Sequence, residues 1–96
     1  MQKTRTDRSA ATRVVFELPT GAAGTVHLCG EFNEWSTTAT PLARSDDGVW
    51  RTTLDLEPGR TYRFRYLIDG ERWENDWVAD EYTANPYGSD DSIVVG

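Results

Sequence analysis

Thr61-Tyr62-Arg63-Phe64-Arg65-Tyr66-Leu67-Ile68, preceded by Glu57-Pro58-Gly59-Arg60 and followed by Asp69-Gly70, is the stretch on which the fold turns. Successive side chains of an extended strand point to opposite sides of a sheet, so Tyr62, Phe64, Tyr66 and Ile68 share one face and Arg63, Arg65 and Leu67 the other. The first face suits a core and the second suits water. Pro58 presets φ and Gly59 supplies the positive φ of a type II turn in front of the strand. Asp69-Gly70 favours a tight type I′ hairpin, so the chain is expected to turn back directly into Glu71-Arg72-Trp73.

The same period of two recurs on both sides of this strand. Val14, Phe16 and Leu18 share a face, as do Val26 and Leu28, and as do Trp50, Thr52, Leu54 and Leu56. Pro19, Gly21, Gly30 and Asp46-Asp47-Gly48 punctuate the strands, and no window of eleven or more residues carries a helical repeat. Residues 74–91 read as a polar loop, and Ile93, Val94 and Val95 as a last short strand. Six to eight short strands with frequent turns predict an all-β fold, an antiparallel β-sandwich of immunoglobulin-like size, with a small barrel as the alternative. There is no internal repeat and no low-complexity tract.

Composition narrows the function. Ninety-six residues, 38% hydrophobic and 27% charged, with a net charge of -6, suit one small domain with a core but little room for a deep cleft. Lys3, Arg5, Arg8 and Arg13 face Asp7 alone in the first thirteen residues, which leaves six bases and fifteen acids in residues 14–96. Residues 1–12 are therefore expected to be a disordered basic arm, and residues 13–96 the sandwich domain. A folded part so acidic argues against nucleic acid and anionic membranes as partners. No apolar run has signal-peptide or membrane-span length, and Cys29 is the single cysteine, which together predict a cytoplasmic protein.

Eleven aromatic residues exceed what the strand faces need. Phe16, Trp50, Tyr62, Phe64 and Tyr66 fit the inward series. Trp35, Trp73, Trp77, Tyr82 and Tyr87 fall in or beside turns among Asn33, Ser36, Asn75, Asp76 and Asn85, and read as surface aromatics, either ligand platforms or corner residues folded back on the core. A flat ring in a polar setting suits a ligand with apolar faces and hydroxylated edges, such as a pyranose. Arg65, Asn33, Asp76, Asn85, Ser89 and Asp91 are the nearby donors and acceptors.

Gly30-Glu31-Phe32-Asn33-Glu34-Trp35, followed in order by Leu42, Asp47-Gly48, Trp50, Leu54, Leu56, Pro58-Gly59, Tyr66-Leu67-Ile68-Asp69-Gly70 and Asn85-Pro86-Tyr87-Gly88, resembles carbohydrate-binding module family 48. That family includes the early set domains at the N-termini of isoamylases and branching enzymes and the glycogen-binding domain of the AMP-activated protein kinase beta subunit. The resemblance implies non-catalytic binding of α-1,4-linked glucan: glycogen, starch or maltooligosaccharide. It implies that Trp35 and Trp73 stack on sugar and that Arg65, where the family usually has lysine, donates to hydroxyls. It also implies that Tyr87 abuts the glucan and that Ser89 and Asp91 stand where a Thr and an Asn make polar contacts. Trp73 lies one position later than in the kinase-type spacing. Asn33 is expected among the polar contacts. A glycogen-active enzyme in trans is a further partner the resemblance allows.

Other functions find less support. Sixteen carboxylates offer many pairs, but glycosidase chemistry needs two of them across a cleft, one with a raised pKa, and these acids lie in turns open to water. His27 alternates outward and has no nucleophile partner. Residues 69–91 hold eight acids, yet neither a calcium loop nor a zinc spacing is present, so no metal or other cofactor is expected. The substantive rival is an early set module that packs against a glycogen- or starch-active enzyme without touching sugar.

Overall fold

A computed structural model describes residues 2–5, 11–20, 23–77, 79–85 and 88–96. The chain forms nine strands among the described residues: β1 Gln2–Arg5, β2 Thr12–Leu18, β3 Val26–Gly30, β4 Ala43–Arg44, β5 Trp50–Leu56, β6 Thr61–Ile68, β7 Arg72–Glu74, β8 Glu81–Ala84 and β9 Asp90–Val95. They make two antiparallel sheets, one ordered β1-β2-β5-β4 and the other β3-β6-β9-β8, with β7 paired to β6 beyond the end of β9. The architecture is the expected all-β sandwich and not a barrel, with two separate sheets.

The inward faces meet as read from the sequence. Val14, Phe16, Leu18, Trp50 and Leu56 from one sheet pack on Val26, Leu28, Tyr62, Phe64, Tyr66, Ile68 and Val94 from the other. Phe64 is the hub, edge-on to Phe16 at 5.1 Å and to Tyr66 at 5.8 Å between ring centroids, the geometry that aromatic quadrupoles favour. Trp50 is buried, and its indole N–H donates to the Thr20 carbonyl at 3.0 Å. The polar tip of that ring is thereby satisfied inside the core.

Two expectations are corrected. Gln2–Arg5, assigned above to a disordered arm, forms β1 and pairs with Thr12 to Val15 of β2, and Thr12 is itself a buried strand residue. Lys3 makes an ion pair with Asp80, tying this edge to the start of the β8 segment. Residues 6–10 of the arm lie outside the described residues. The polar stretch 74–91 holds β8 and the end of β7, and β9 begins at Asp90 rather than Ile93.

Candidate functional site

The register of the second sheet decides what stands on its outer face. Cys29 of β3 is opposite Arg65 of β6, and Leu67 of β6 is opposite Trp73 of β7. Arg63 is opposite Ile93 and Phe64 opposite Ser92, so Arg65 and Asp91 fall in the next row and point outward together. Phe64 and Tyr66, between the arginines and beyond them, are wholly buried on the core side.

The hairpin between β6 and β7 differs from the sequence expectation, and the difference determines where Trp73 goes. Asp69 and Gly70 both take positive φ, 54° and 69°, and the Glu71 N–H donates to the Ile68 carbonyl at 3.1 Å, as in a type I′ turn. Pairing nevertheless begins at Arg72, opposite Ile68. A direct return at Glu71 would set Trp73 opposite Tyr66, on the core side. The extra loop residue, Glu71, moves Trp73 opposite Leu67 and onto the arginine face, which absorbs its later position in the sequence. Asp69 also anchors the hairpin: its Oδ1 accepts from the Gly24 and Thr25 N–H groups at 2.7 and 2.9 Å, and these bonds hold the carboxyl below its ordinary pKa.

Trp35 is placed by the loop after β3. Phe32, in the 3-10 turn Glu31–Asn33, packs on Phe16, Tyr62 and Phe64 and pins the loop to the core. Gly30 is buried where a Cβ would come within 2.6 Å of the Arg63 carbonyl and 2.8 Å of Phe64, so only glycine fits without movement. Glu34 and Trp35 both have φ of 58°, the left-handed region that costs a bulky residue of order 1 to 3 kcal/mol. A bond from the Trp35 backbone N–H to the Gly30 carbonyl at 2.8 Å closes the loop, and the side chain is left partly open to solvent.

Trp35, Arg65 and Trp73 line one cavity of about 800 Å³ together with Asn85 and Asp91. The two tryptophans keep 36% and 42% of their surface open. Arg65 Nη2 donates to Ser89 Oγ at 3.0 Å, and its Nε lies 3.9 Å from Asp91 Oδ1, so its charge is met by Asp91 and not by Asp69 or Glu71. Two further residues complete the lining. Glu31 and Arg63 both face the cavity, and Glu31 Oε1 accepts from the Arg63 N–H at 2.6 Å. Period two marks Arg63 as outward; nothing in the neighbours of Glu31 signals that the 3-10 turn swings it toward β6.

Other expected contacts fall elsewhere. Asn33 is a loop brace: its Nδ2 donates to the Leu28 carbonyl at 2.8 Å and to Thr40 Oγ1 at 3.0 Å, and its Oδ1 accepts from the Gly30 N–H at 3.1 Å. Three of its four hydrogen-bonding positions are thereby used inside the fold. Asp76 is buried, accepting from the Tyr66 hydroxyl at 2.6 Å while its N–H donates to Ser92 Oγ at 2.9 Å. Burial and then the Asp76 charge push the Tyr66 phenol far up. Tyr87 lies outside the described residues. Trp77, 60% exposed, is not part of the cavity lining. Cys29 is buried beneath the site, and burial raises its thiol pKa, as for an unreactive strand residue. Among the described residues no cluster of His, Cys, Asp and Glu could hold a metal ion, and no helix is long and apolar enough to cross a membrane.

A small sandwich with two solvent-facing tryptophans and a row of polar side chains around one outer cavity has the build of a ligand-binding module. The sequence model of carbohydrate-binding module 48, the isoamylase N-terminal domain, matches residues 4–88, and the chain belongs to that family. It is also 39% identical over 75 residues to the 1,4-alpha-glucan branching enzyme GlgB of Photobacterium profundum, a match covering 75% of this chain. The chain spans about 10% of the length of that relative.

Proposed function

We propose that this domain binds α-1,4-linked glucan without acting on it, using the cavity between Trp35 and Trp73. The observation that carries this reading is that both open indole rings and Arg65 line the same cavity. The axial hydrogens of a glucose ring pack on indole, and the equatorial hydroxyls fall where Arg65, Arg63 and Asn85 donate and Glu31 accepts. Arginine in place of lysine presents a planar fork that can address two neighbouring hydroxyls. Ser89, already joined to Arg65, extends the polar rim, and the family resemblance supports Tyr87 as a further contact. A few stacked rings and exposed hydrogen bonds supply about 4 to 7 kcal/mol, hence a Kd on the order of 10 μM to 1 mM that improves with chain length. The setting is the cytoplasm, where one unpaired cysteine stays reduced.

Titration with maltoheptaose, followed by tryptophan fluorescence, tests this. Saturable binding is expected, weakened about tenfold or more by Trp35→Ala and by Trp73→Ala in variants that keep their melting temperature. No saturable change at millimolar ligand overturns the glucan reading, whereas full affinity in both variants moves the site elsewhere. A second role, packing against a glycogen- or starch-active enzyme, is favoured by Trp77, an open ring away from the cavity.

A further inference from the structure

Asp91 is expected to touch sugar, but it is not built as a surface contact. Its side chain is 8% exposed, and both carboxylate oxygens face basic or amide groups of the protein. Oδ1 accepts from Asn85 Nδ2 at 3.1 Å and lies 3.9 Å from Arg65 Nε, while Oδ2 lies 4.0 Å from Arg63 Nη1. Arg65 is desolvated on the same side: its Nε is buried and has no hydrogen-bond partner among the described residues, which leaves the Asp91 charge as the compensation at that edge. The other edge of the guanidinium, through Nη2, reaches Ser89. Asn85 closes the circuit, since its Oδ1 accepts from the Ser89 N–H at 3.2 Å and its own N–H donates to the Ser89 carbonyl at 2.8 Å.

We infer that Asp91 is a positioning residue. Its carboxylate fixes the inner edge of Arg65, so that the Nη edge is left for ligand hydroxyls, and through Asn85 it sets the turn that carries Ser89. An aspartate does here what an asparagine could not, because a neutral amide offers a buried guanidinium edge no counter-charge. The register favours the arrangement: Arg65 and Asp91 fall one row beyond Phe64 and Ser92, the last pair of β6 and β9, and Thr83 of β8 flanks Asp91 on its other side.

The inference rests on the reading that Arg65 donates to glucan, and the experiment separates the two. In the ligand-free wild type, the Arg65 Nε–H signal, assigned by its loss in Arg65→Gln, is expected to exchange with water far more slowly than that of exposed Arg60. A solvent-like rate overturns the inference whether or not glucan binds. In Asp91→Asn the signal is expected to exchange faster, and maltoheptaose affinity to fall about five- to tenfold. In the Arg65→Gln background, Asp91→Asn is expected to cause no further loss. Losses that multiply in the double variant would overturn its action through Arg65. Absence of maltoheptaose binding by the wild type would remove the functional reading and leave the exchange measurement to decide the role of Asp91.

Discussion

The two sheets turn very different outer faces to water. On the β2–β5 side the charges are matched across strands: Arg13 pairs with Asp55 at 3.3 Å, and Arg51 reaches both Glu17 at 3.1 Å and Asp47 at 3.0 Å. On the β6 side Arg65 is met at 3.9 Å along one edge, Trp35 and Trp73 stand open, and a cavity separates them. Both faces are polar and both follow from period-two alternation. A face whose charges pair within its own sheet has little left to offer a ligand, and the other keeps flat apolar area and hydrogen-bonding capacity in reserve.

The largest test removes the ground beneath both faces. Phe64→Ala deletes the ring that touches Phe16, Phe32 and Tyr66 and is expected to cost about 3 to 5 kcal/mol, measured by urea unfolding, with binding lost together with the fold. A loss below about 1 kcal/mol would mean that the sandwich is not held at this hub. Next in size, Arg51→Ala breaks the matched face and is expected to lower stability only slightly in urea unfolding, because exposed ion pairs are screened, with maltoheptaose affinity unchanged. Lost binding in a well-folded Arg51→Ala variant would erase the distinction between the faces. The smallest effect is expected from deletion of Glu71. Asp69-Gly70 then forms a plain two-residue tip, Arg72 stays opposite Ile68, Trp73 stays opposite Leu67, and fluorescence titration gives an affinity within about twofold of wild type. A large loss would show that the three-residue tip does more than absorb one position.

What the sequence disclosed, it disclosed where a side chain's chemistry and its position agree. Phe16, Phe64 and Tyr66 are apolar or nearly so at inward positions, and the core follows from them. Trp35 in a loop and Trp73 just past a turn are indoles with no local use, and both line the cavity. β1 was not legible because Gln2, Lys3, Thr4 and Arg5 carry no alternation; backbone pairing to β2 holds that strand, together with Lys3 and Asp80. Asn33, Asp76 and Asp91 share one difficulty. Each is a polar residue in a polar neighbourhood, yet each is used inside the fold by partners outside its own turn or strand: Thr40 and Leu28, Tyr66 and Ser92, Arg63 and Arg65. Local pattern cannot distinguish an amide or carboxylate that offers itself to ligand from one already committed.

β1 bears on how the molecule behaves among its own copies. β2 carries Val14, Phe16 and Leu18 on its buried face, and its far side is bonded to β5 along all seven residues. Among the described residues, its near side is bonded to Gln2–Arg5, from Thr12 to Val15. Four hydrophilic residues thus occupy backbone donors and acceptors that would otherwise form an open rail for a passing strand, and the exposed Gln2, Lys3 and Thr4 stand at the new margin. The segment that contributes nothing to the core thus covers the Thr12 to Val15 stretch of that edge against pairing with a second molecule.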